Sequence, residues 1–351
     1  MAPARTGDSN MIAAVRRAGL CAAAVLALAP PAAQAQSAAD FFRSKDITMI
    51  VAAGSGGTYA VYARLLARYW QAHIPGTPNI VVQHMPGGGG LKGAAHLHNV
   101  AARDGSAIGM PLQTVAMAQV LRPDQARHDV RKWGWIGNMT VLRNTIAVWH
   151  TAPAQTFEAA RKAEVVIGST GKGGDMFMVP KLANELLGTK FRIVLGYRGI
   201  SDVDKAIESG EAQGRAGSWL SWKLQHPDWV RDGKVRQIAQ VGLDRAADLK
   251  DVPLLQDFAT SAMDRKVLEF FGYSTRLART VSAVPGAPKH LVDALRVSFA
   301  KAMADRGLLD EAARRGVPLE PMGWKEVAEA ANATAGVDPA VVKRMQAALA
   351  K

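Results

Sequence analysis

Four glycine-rich segments, each directly after a short apolar run, constrain the fold of this chain more than any other feature. They are residues 54–58 (GSGGT), 85–90 (MPGGGG), 168–174 (GSTGKGG) and 196–199 (GYRG). The run Ile47–Ala52 is almost continuously apolar, which is typical of a strand buried on both faces of a parallel sheet. Helical spacing of apolar residues follows over residues 59–72. This alternation predicts an α/β chain with mostly parallel sheets and helices on both faces.

The alternation of strands and helices divides into two series between residues 46 and 245. In the first series we predict strands at 47–52, 80–82, 107–110, 135–136 and 145–149. In the second we predict strands at 165–167, 192–195 and 237–241. The C-terminal region differs, because residues 287–350 show helical spacing in four successive segments. The sequence therefore predicts two α/β series followed by a helical region.

The first 35 residues have the pattern of a secretory signal peptide. Arg16 and Arg17 precede an apolar run at residues 18–29, and Ala33-Gln-Ala35 matches a small-residue cleavage site. The apolar run is shorter than the roughly 20 residues that a membrane-spanning helix needs. We therefore expect the chain to be exported across the inner membrane and cleaved near Ala35.

Cysteine usage and charge exclude several kinds of site. The single cysteine, Cys21, lies inside the predicted signal peptide, so we expect no disulfide, thiol nucleophile or cysteine-ligated metal in the mature chain. The formal net charge is +13, but the Lys and Arg residues are scattered rather than arranged in a stripe. Together with export, this distribution argues against a nucleic-acid partner. A positive field that concentrates small anions fits better.

The four glycine segments predict a binding site for an anion. In an open parallel sheet the carboxyl ends of the strands line the ligand crevice. Glycine allows close approach of the backbone, and the helix that follows each segment favours negative charge at its N-terminus. One such loop more often makes only a tight turn, but four in two series indicate ligand binding. We expect a cradle of backbone N–H groups that needs no buried cationic side chain.

The same segments do not match nucleotide-binding motifs. Residues 171–176 (GKGGDM) lack the third glycine of a dinucleotide fingerprint, and Lys172 is not followed by Ser or Thr as in a P-loop. His96 and His98 are two residues apart and point in different directions on a helix, so we expect no metal site. We find no nucleophile paired with a base. The expectation is a protein without cofactor or catalytic residues.

Motifs along nearly the whole mature chain resemble the Bug-type (TctC-like) substrate-binding proteins of tripartite tricarboxylate transporters. The resemblance runs from about residue 40 to residue 345 and rests on the order and spacing of several motifs together. The matching segments are 56–57 (GG), 62–64 (YAR), 74–78 (IPGTP), 82–89 (VQHMPGGG), 103–105 (RDG), 168–173 (GSTGKG), 195–199 (LGYRG), 209–211 (SGE), 214–215 (GR) and 284–288 (VPGAP).

This resemblance implies a two-lobed periplasmic-binding-protein (Venus flytrap) architecture that closes around a small organic carboxylate. It implies a signal peptide at 1–35, a discontinuous lobe I at 40–144 and 276–351, and lobe II at 145–275. The ligand carboxylate is expected on backbone N–H groups and hydroxyls of the strand-end loops. The residues carried over are Ser55, Gly57, Thr58, Tyr59, His84, Gln113, Thr114, Ser169, Thr170, Gly171, Gly173, Gly174, Asp175 and Tyr197.

The resemblance also implies a location and partners. We expect a monomer in the periplasm that delivers its carboxylate to membrane transporter subunits. A binding protein that signals to a membrane receptor kinase, or a secreted enzyme acting on a carboxylate, stays open as an alternative. Ala60 stands where the family usually has aspartate. This departure favours a purely anionic ligand over an amino acid, and the sequence leaves its identity open.

Overall fold

The computed structural model describes residues 1–2 and 37–350, of which Ala38 onward forms one compact unit. The predicted signal peptide falls almost entirely on residues 3–36, outside the described residues. Among the described helices, none combines the length and the apolar character needed to cross a membrane.

Residues 37–350 contain two β-sheets, and their strands follow the predicted series closely. The strands are β1 Ile47–Val51, β2 Ile80–His84, β3 Ala107–Met110, β4 Gly134–Asn138, β5 Asn144–Trp149, β6 Val165–Gly168, β7 Phe191–Val194, β8 Gly214–Ser218, β9 Val235–Val241, β10 Thr280–Ala283 and β11 Met322–Gly323.

The helices alternate with these strands and then dominate the C-terminal region. They are α1 Ala38–Arg43, α2 Thr58–Trp70, α3 Leu91–Asn99, α4 Val115–Leu121, α5 Phe157–Ala160, α6 Asp175–Leu187, α7 Ile200–Glu208, α8 Trp219–Gln225, α9 Pro227–Arg231, α10 Ala262–Tyr273, α11 Lys289–Met303, α12 Arg306–Arg314, α13 Trp324–Ala335 and α14 Pro339–Ala350.

Both sheets are mixed. The first has the order β11-β4-β10-β3-β1-β2, with β1 parallel to β2 and β3, whereas β10 runs antiparallel to β3 and β4. The second has the order β7-β6-β8-β5-β9, with β6 parallel to β7 and β8, whereas β5 runs antiparallel to β8 and β9. Each sheet therefore has a parallel part whose strands end at one edge, and those ends position the loops described below.

Each sheet is covered by helices that bury an apolar face. On α2 the side chains of Tyr62, Leu65 and Leu66 are buried against the first sheet and against Phe299 of α11. On α6 the side chains of Met178, Val179 and Leu182 are buried against the second sheet. Burying each such side chain stabilises the fold by about 1.5–3 kcal/mol. We call each sheet with its helices a lobe, the first and the second.

The chain passes between the two sheets more than once. It leaves the first at Asn138, enters the second at Asn144, and returns to the first at Thr280. The last helix then packs on the second core, where Val341 and Met345 are buried. The lobe boundaries predicted from the sequence stay a prediction, and we propose that α14 be counted with the second lobe.

Candidate functional site

Loops at the strand ends of both lobes surround one cavity of about 760 Å³. The first lobe contributes the loops after β1, β2 and β3, and the second contributes those after β6 and β7 and the end of β8. The volume lies within the roughly 300–1,000 Å³ of small-molecule sites. The crevice at the carboxyl ends of parallel strands is also where open α/β sheets bind ligands.

Most of the residues predicted from the sequence line this cavity. The lining includes Ser55, Gly57, Thr58, Tyr59, His84, Gln113, Thr170, Gly174, Asp175 and Tyr197. Thr114, Ser169, Gly171 and Gly173 are not in the lining. The structure thus brings the two predicted groups of loops together at one place, and the binding role of each residue stays a proposal.

Two of the residues outside the lining connect the lobes. The hydroxyl of Thr114 donates to the backbone oxygen of Gly173 at 3.1 Å, from the first lobe to the second. A Cβ atom at Gly173 would lie 2.3 Å from the backbone oxygen of Gly88, and one at Gly89 would lie 2.2 Å from the nitrogen of Gly174. Real Cβ atoms do not approach so closely, so these glycines permit a backbone contact between the lobes that any side chain would prevent.

Helices of both lobes begin at the cavity wall, and three of them are α2, α6 and α7. Their N-cap residues are Gly57 for α2, Gly174 for α6 and Gly199 for α7, and none of the three has a side-chain cap. The first backbone N–H groups of a helix have no intrahelical acceptor, and the helix dipole favours negative charge there. The arrangement suits an anionic group in the cavity.

A hydrogen-bonded chain of side chains crosses the cavity floor. The hydroxyl of Tyr59 donates to Oε1 of Gln113 at 2.5 Å, and Nε2 of Gln113 donates to Oδ2 of Asp175 at 2.8 Å. Nδ2 of Asn144 donates to the same oxygen at 2.7 Å. Burial raises the pKa of the Tyr59 phenol above its ordinary value despite the opposing charge of Arg279, so the phenol stays a donor.

The carboxylate of Asp175 is fully engaged by the protein itself. Besides the two amide donors on Oδ2, its Oδ1 accepts from the backbone N–H of Met176 at 2.9 Å. Burial raises the pKa of Asp175 above its ordinary range, and the Met176 hydrogen bond and the charge of Arg279 only partly oppose this effect. The contact with Gln113 connects Asp175 to the first lobe, and the contact with Met176 lies in the first turn of its own helix, α6.

Arg279 also lines the cavity, and it corrects one expectation from the sequence. The cradle was expected to need no buried cationic side chain, yet Arg279 is only 1% exposed. Its guanidinium lies 3.8 Å from the centroid of the Tyr59 ring, and its Nη2 donates to Oγ1 of Thr58 at 2.6 Å. Nε and Nη1 have no hydrogen-bond partner among the described residues.

The backbone at Arg279 is unusual as well. Its φ angle is +57°, in the left-handed region that non-glycine residues rarely occupy. The sequence offered one signal that was missed. Arg279 follows Leu277 and Ala278 and directly precedes a short run, 280–284, that is mostly apolar or small (TVSAV). An arginine in such a context is buried only with a compensating partner, which makes it a candidate for a site.

His84 is another predicted polar residue on the first-lobe wall. Its Nδ1 lies 3.0 Å from the backbone oxygen of Ala53, so this nitrogen carries a proton and donates to that oxygen. Within residues 1–2 and 37–350, no group of three His, Cys, Asp or Glu side chains is arranged to hold a metal ion.

Solved structures share this two-lobed arrangement. The periplasmic binding protein BugD matches with a TM-score of 0.68 at 18% identity, covering 87% of this chain and 97% of that one. A protein of R. palustris solved with adipate matches with a TM-score of 0.68 at 16% identity, covering 88% and 98%. MatC from Rhodopseudomonas palustris, solved with bound malate, matches with a TM-score of 0.65 at 16% identity, covering 87% and 99%.

Sequence comparison finds two relatives, and both are named UPF0065 proteins. A UPF0065 protein of Cupriavidus necator is 24% identical over 350 residues, which are 96% of this chain and 98% of the relative. A UPF0065 protein of Agrobacterium vitis is 27% identical over 246 residues, which are 66% and 67% of the two chains. No family model matches the chain. The chain therefore has the two-lobed α/β fold of BugD and related periplasmic binding proteins, and the resemblance that its motifs indicated is confirmed.

Proposed function

We propose that this protein is an exported solute-binding protein that captures a small organic carboxylate between its lobes. It then delivers the carboxylate to a tripartite tricarboxylate-type membrane transporter. The observation that carries the proposal is the meeting of three helix N-termini, from both lobes and without side-chain caps, at one cavity. Backbone N–H groups at such positions bind carboxylates and phosphates without further charged residues.

Similar proteins support a carboxylate rather than a phosphate. The structural neighbours named above were solved with adipate and with malate, and both of these ligands are dicarboxylates. The cavity of about 760 Å³ is large enough for an acid of this size together with bridging water. We propose binding without turnover, with the periplasm as the location, because BugD is a periplasmic binding protein.

Binding by closure follows from the contacts across the cleft. Gln113 reaches Asp175, Thr114 reaches Gly173, and Nε2 of Gln225 donates to the backbone oxygen of Gly56 at 2.8 Å. These contacts join the first lobe to the second and belong to the closed arrangement. A ligand shifts the protein towards this arrangement only by binding it more tightly than the open one. Closure also removes water from the carboxylate, which strengthens each N–H contact.

The proposal is tested by calorimetry on the mature protein with a panel of di- and tricarboxylates, beside mass spectrometry of any acid that co-purifies. We expect at least one organic acid to bind. Gly173→Val places a side chain against the backbone of Gly88 and prevents closure. We expect it to weaken binding by at least about 100-fold, or about 2.7 kcal/mol.

A neighbouring glycine provides the matched control. A Cβ atom at Gly174 meets nothing closer than 3.5 Å, and its φ of −105° suits any residue. We expect Gly174→Ala to bind within about threefold of the wild type, since about 0.7 kcal/mol is the scale of a weakened N-cap. Unchanged affinity in Gly173→Val would contradict binding by closure, and failure of every acid to bind would contradict the proposed function.

A further inference from the structure

Arg279 is a buried cation with few partners in the described chain. Of its three guanidinium nitrogens, only Nη2 has a partner, the hydroxyl of Thr58, whereas Nε and Nη1 have none. No carboxylate of residues 37–350 forms an ion pair with it. The nearby Asp175 uses its oxygens to accept from Gln113, Asn144 and the backbone of Met176.

A buried charge that lacks both an opposite charge and hydrogen-bond partners is unfavourable, because the protein interior replaces the water that would solvate it. Folded proteins keep such a group where a bound ligand completes its surroundings. Stacking on Tyr59, at 3.8 Å from the ring centroid, fixes the plane of the guanidinium.

The backbone gives a second and independent indication. A φ of +57° is unfavourable for a residue with a Cβ atom, and such strain is concentrated at ligand-binding and catalytic sites. The residue next in the chain, Thr280, is fully buried and begins β10, so the strained residue is anchored by the first sheet. Arg279 thereby lines the cavity from a rigid element.

We propose that Arg279 donates directly to a carboxylate of the ligand and is the charged anchor of the site. This inference rests on the proposed function and adds to it the selection of acids over their neutral analogues. The backbone N–H groups of the helix N-termini donate to any oxygen that carries a partial negative charge, including an amide oxygen. A guanidinium distinguishes a carboxylate from an amide far more strongly, because hydrogen bonds between ionised groups are stronger than those that involve a neutral group.

The test combines substitutions of Arg279 with changes in the charge of the ligand, as in a double-mutant cycle. The affinities of adipate, malate and citrate, and of their primary amides, are measured by calorimetry on wild type, Arg279→Met and Arg279→Lys. We expect wild type to prefer an acid over its amide by about 30-fold or more, and Arg279→Met to reduce this preference to about fivefold or less. We expect Arg279→Lys, which keeps the charge but loses the fork of donors, to lie between the two.

The control is another arginine stacked on an aromatic ring. Arg296 lies 3.8 Å from the ring centroid of Trp324 and outside the cavity lining. Arg296→Met should keep the wild-type preference for acids. An unchanged preference in Arg279→Met overturns the inference while leaving the proposed function intact. If wild type binds none of the acids, the proposed function fails, and the inference that rests on it fails as well.

The melting temperature separates an anchor from a structural arginine. Because Arg279 has only one hydrogen-bond partner among residues 37–350, we expect Arg279→Met to melt at the wild-type temperature or above it. A fall of more than about 5 °C, or failure to fold, shows that the guanidinium holds the first lobe together and overturns the inference.

Discussion

The two lobes each contain one arginine that is almost completely buried, and the two residues differ in their partners. Arg215 on β8 is 0% exposed and Arg279 before β10 is 1% exposed. Both guanidinium groups lie against an aromatic ring, at 3.6 Å from the centroid of Trp222 and 3.8 Å from that of Tyr59. Burial and stacking are therefore nearly the same in the two lobes.

The two arginines differ in their hydrogen-bond partners. Nε of Arg215 donates to Asp204 at 2.5 Å, and its Nη2 contacts both Asp204 and Ser221. Asp204 also contacts Nε2 of His226 at 3.0 Å, which completes a buried polar cluster in the second lobe. Arg279 has a single hydroxyl partner and lines the cavity. The comparison teaches that two equally buried arginines differ in whether a carboxylate pairs with them, and the proposed binding role of Arg279 rests on that difference.

The aspartates near these arginines differ in the direction of their pKa shifts. Burial raises the pKa of Asp204, but the charge of Arg215 and the contact with His226 outweigh burial and hold it below its ordinary range. Burial raises the pKa of Asp175, and its hydrogen bonds and the more distant Arg279 do not outweigh that effect. The second lobe thus has a matched ion pair, and the cavity has a cation and an anion that do not pair with each other.

The largest effect expected from this comparison is on the stability of the second lobe. Arg215→Met leaves Asp204 buried without its ion-pair partner, which costs about 3–5 kcal/mol of unfolding free energy. Urea unfolding at neutral pH measures the loss. Arg279→Met, measured in the same way on the ligand-free protein, should cost little, because no carboxylate is left behind.

Equal losses of unfolding free energy in Arg215→Met and Arg279→Met would contradict the proposed difference between the two arginines. Arg215→Lys is the matched variant that keeps the charge beside Asp204, and we expect it to recover part of the stability. At a temperature where Arg215→Met stays folded, its ligand affinity should equal that of wild type, because Arg215 is not in the cavity lining.

A smaller effect is expected in the pH dependence of stability. The depressed pKa of Asp204 contributes stability above about pH 3.9, and this stability is lost as the pH falls through the folded-state pKa. The raised pKa of Asp175 has the opposite sign, since its ionisation costs stability as the pH rises from about 3.9 towards the folded-state pKa.

The two aspartates should therefore give opposite slopes. The free energy of unfolding of Asp204→Asn, relative to wild type, should fall as the pH rises from about 2 to about 4. That of Asp175→Asn, relative to wild type, should increase as the pH rises above about 4. Each slope is at most about 1.4 kcal/mol per pH unit. Urea unfolding across this range measures both, and slopes of the same sign would show that the two carboxylates have similar surroundings.

Much of the fold was predictable from the sequence because apolar runs and glycine segments mark the parallel strands. The predicted strands 47–52, 107–110 and 165–167 correspond to β1, β3 and β6, and the predicted helix 59–72 corresponds to α2. Two central strands gave no such signal. β8 reads GRAGS and β10 reads TVSA, so neither is long or apolar enough to stand out, and their pairing with neighbouring strands defines them.

The cavity was predictable in outline, because glycine segments at strand ends converge by the geometry of parallel sheets. The position of Arg279 at the cavity was not predictable, since it depends on the return of the chain from the second lobe to β10. The contacts between Gly88, Gly89 and Gly173 are likewise invisible in the sequence, because they join segments more than 80 residues apart. Contacts between distant segments are set by packing, and local patterns do not record them.

The central claim is that a carboxylate completes the surroundings of Arg279, and a crystal structure with the tightest-binding organic acid tests it most directly. We predict a carboxylate oxygen of the ligand about 3 Å from Nε or Nη1 of Arg279, with Thr58 still accepting from Nη2. A ligand whose carboxylates all lie on the backbone of the glycine loops, with the guanidinium out of hydrogen-bond reach, would contradict the account.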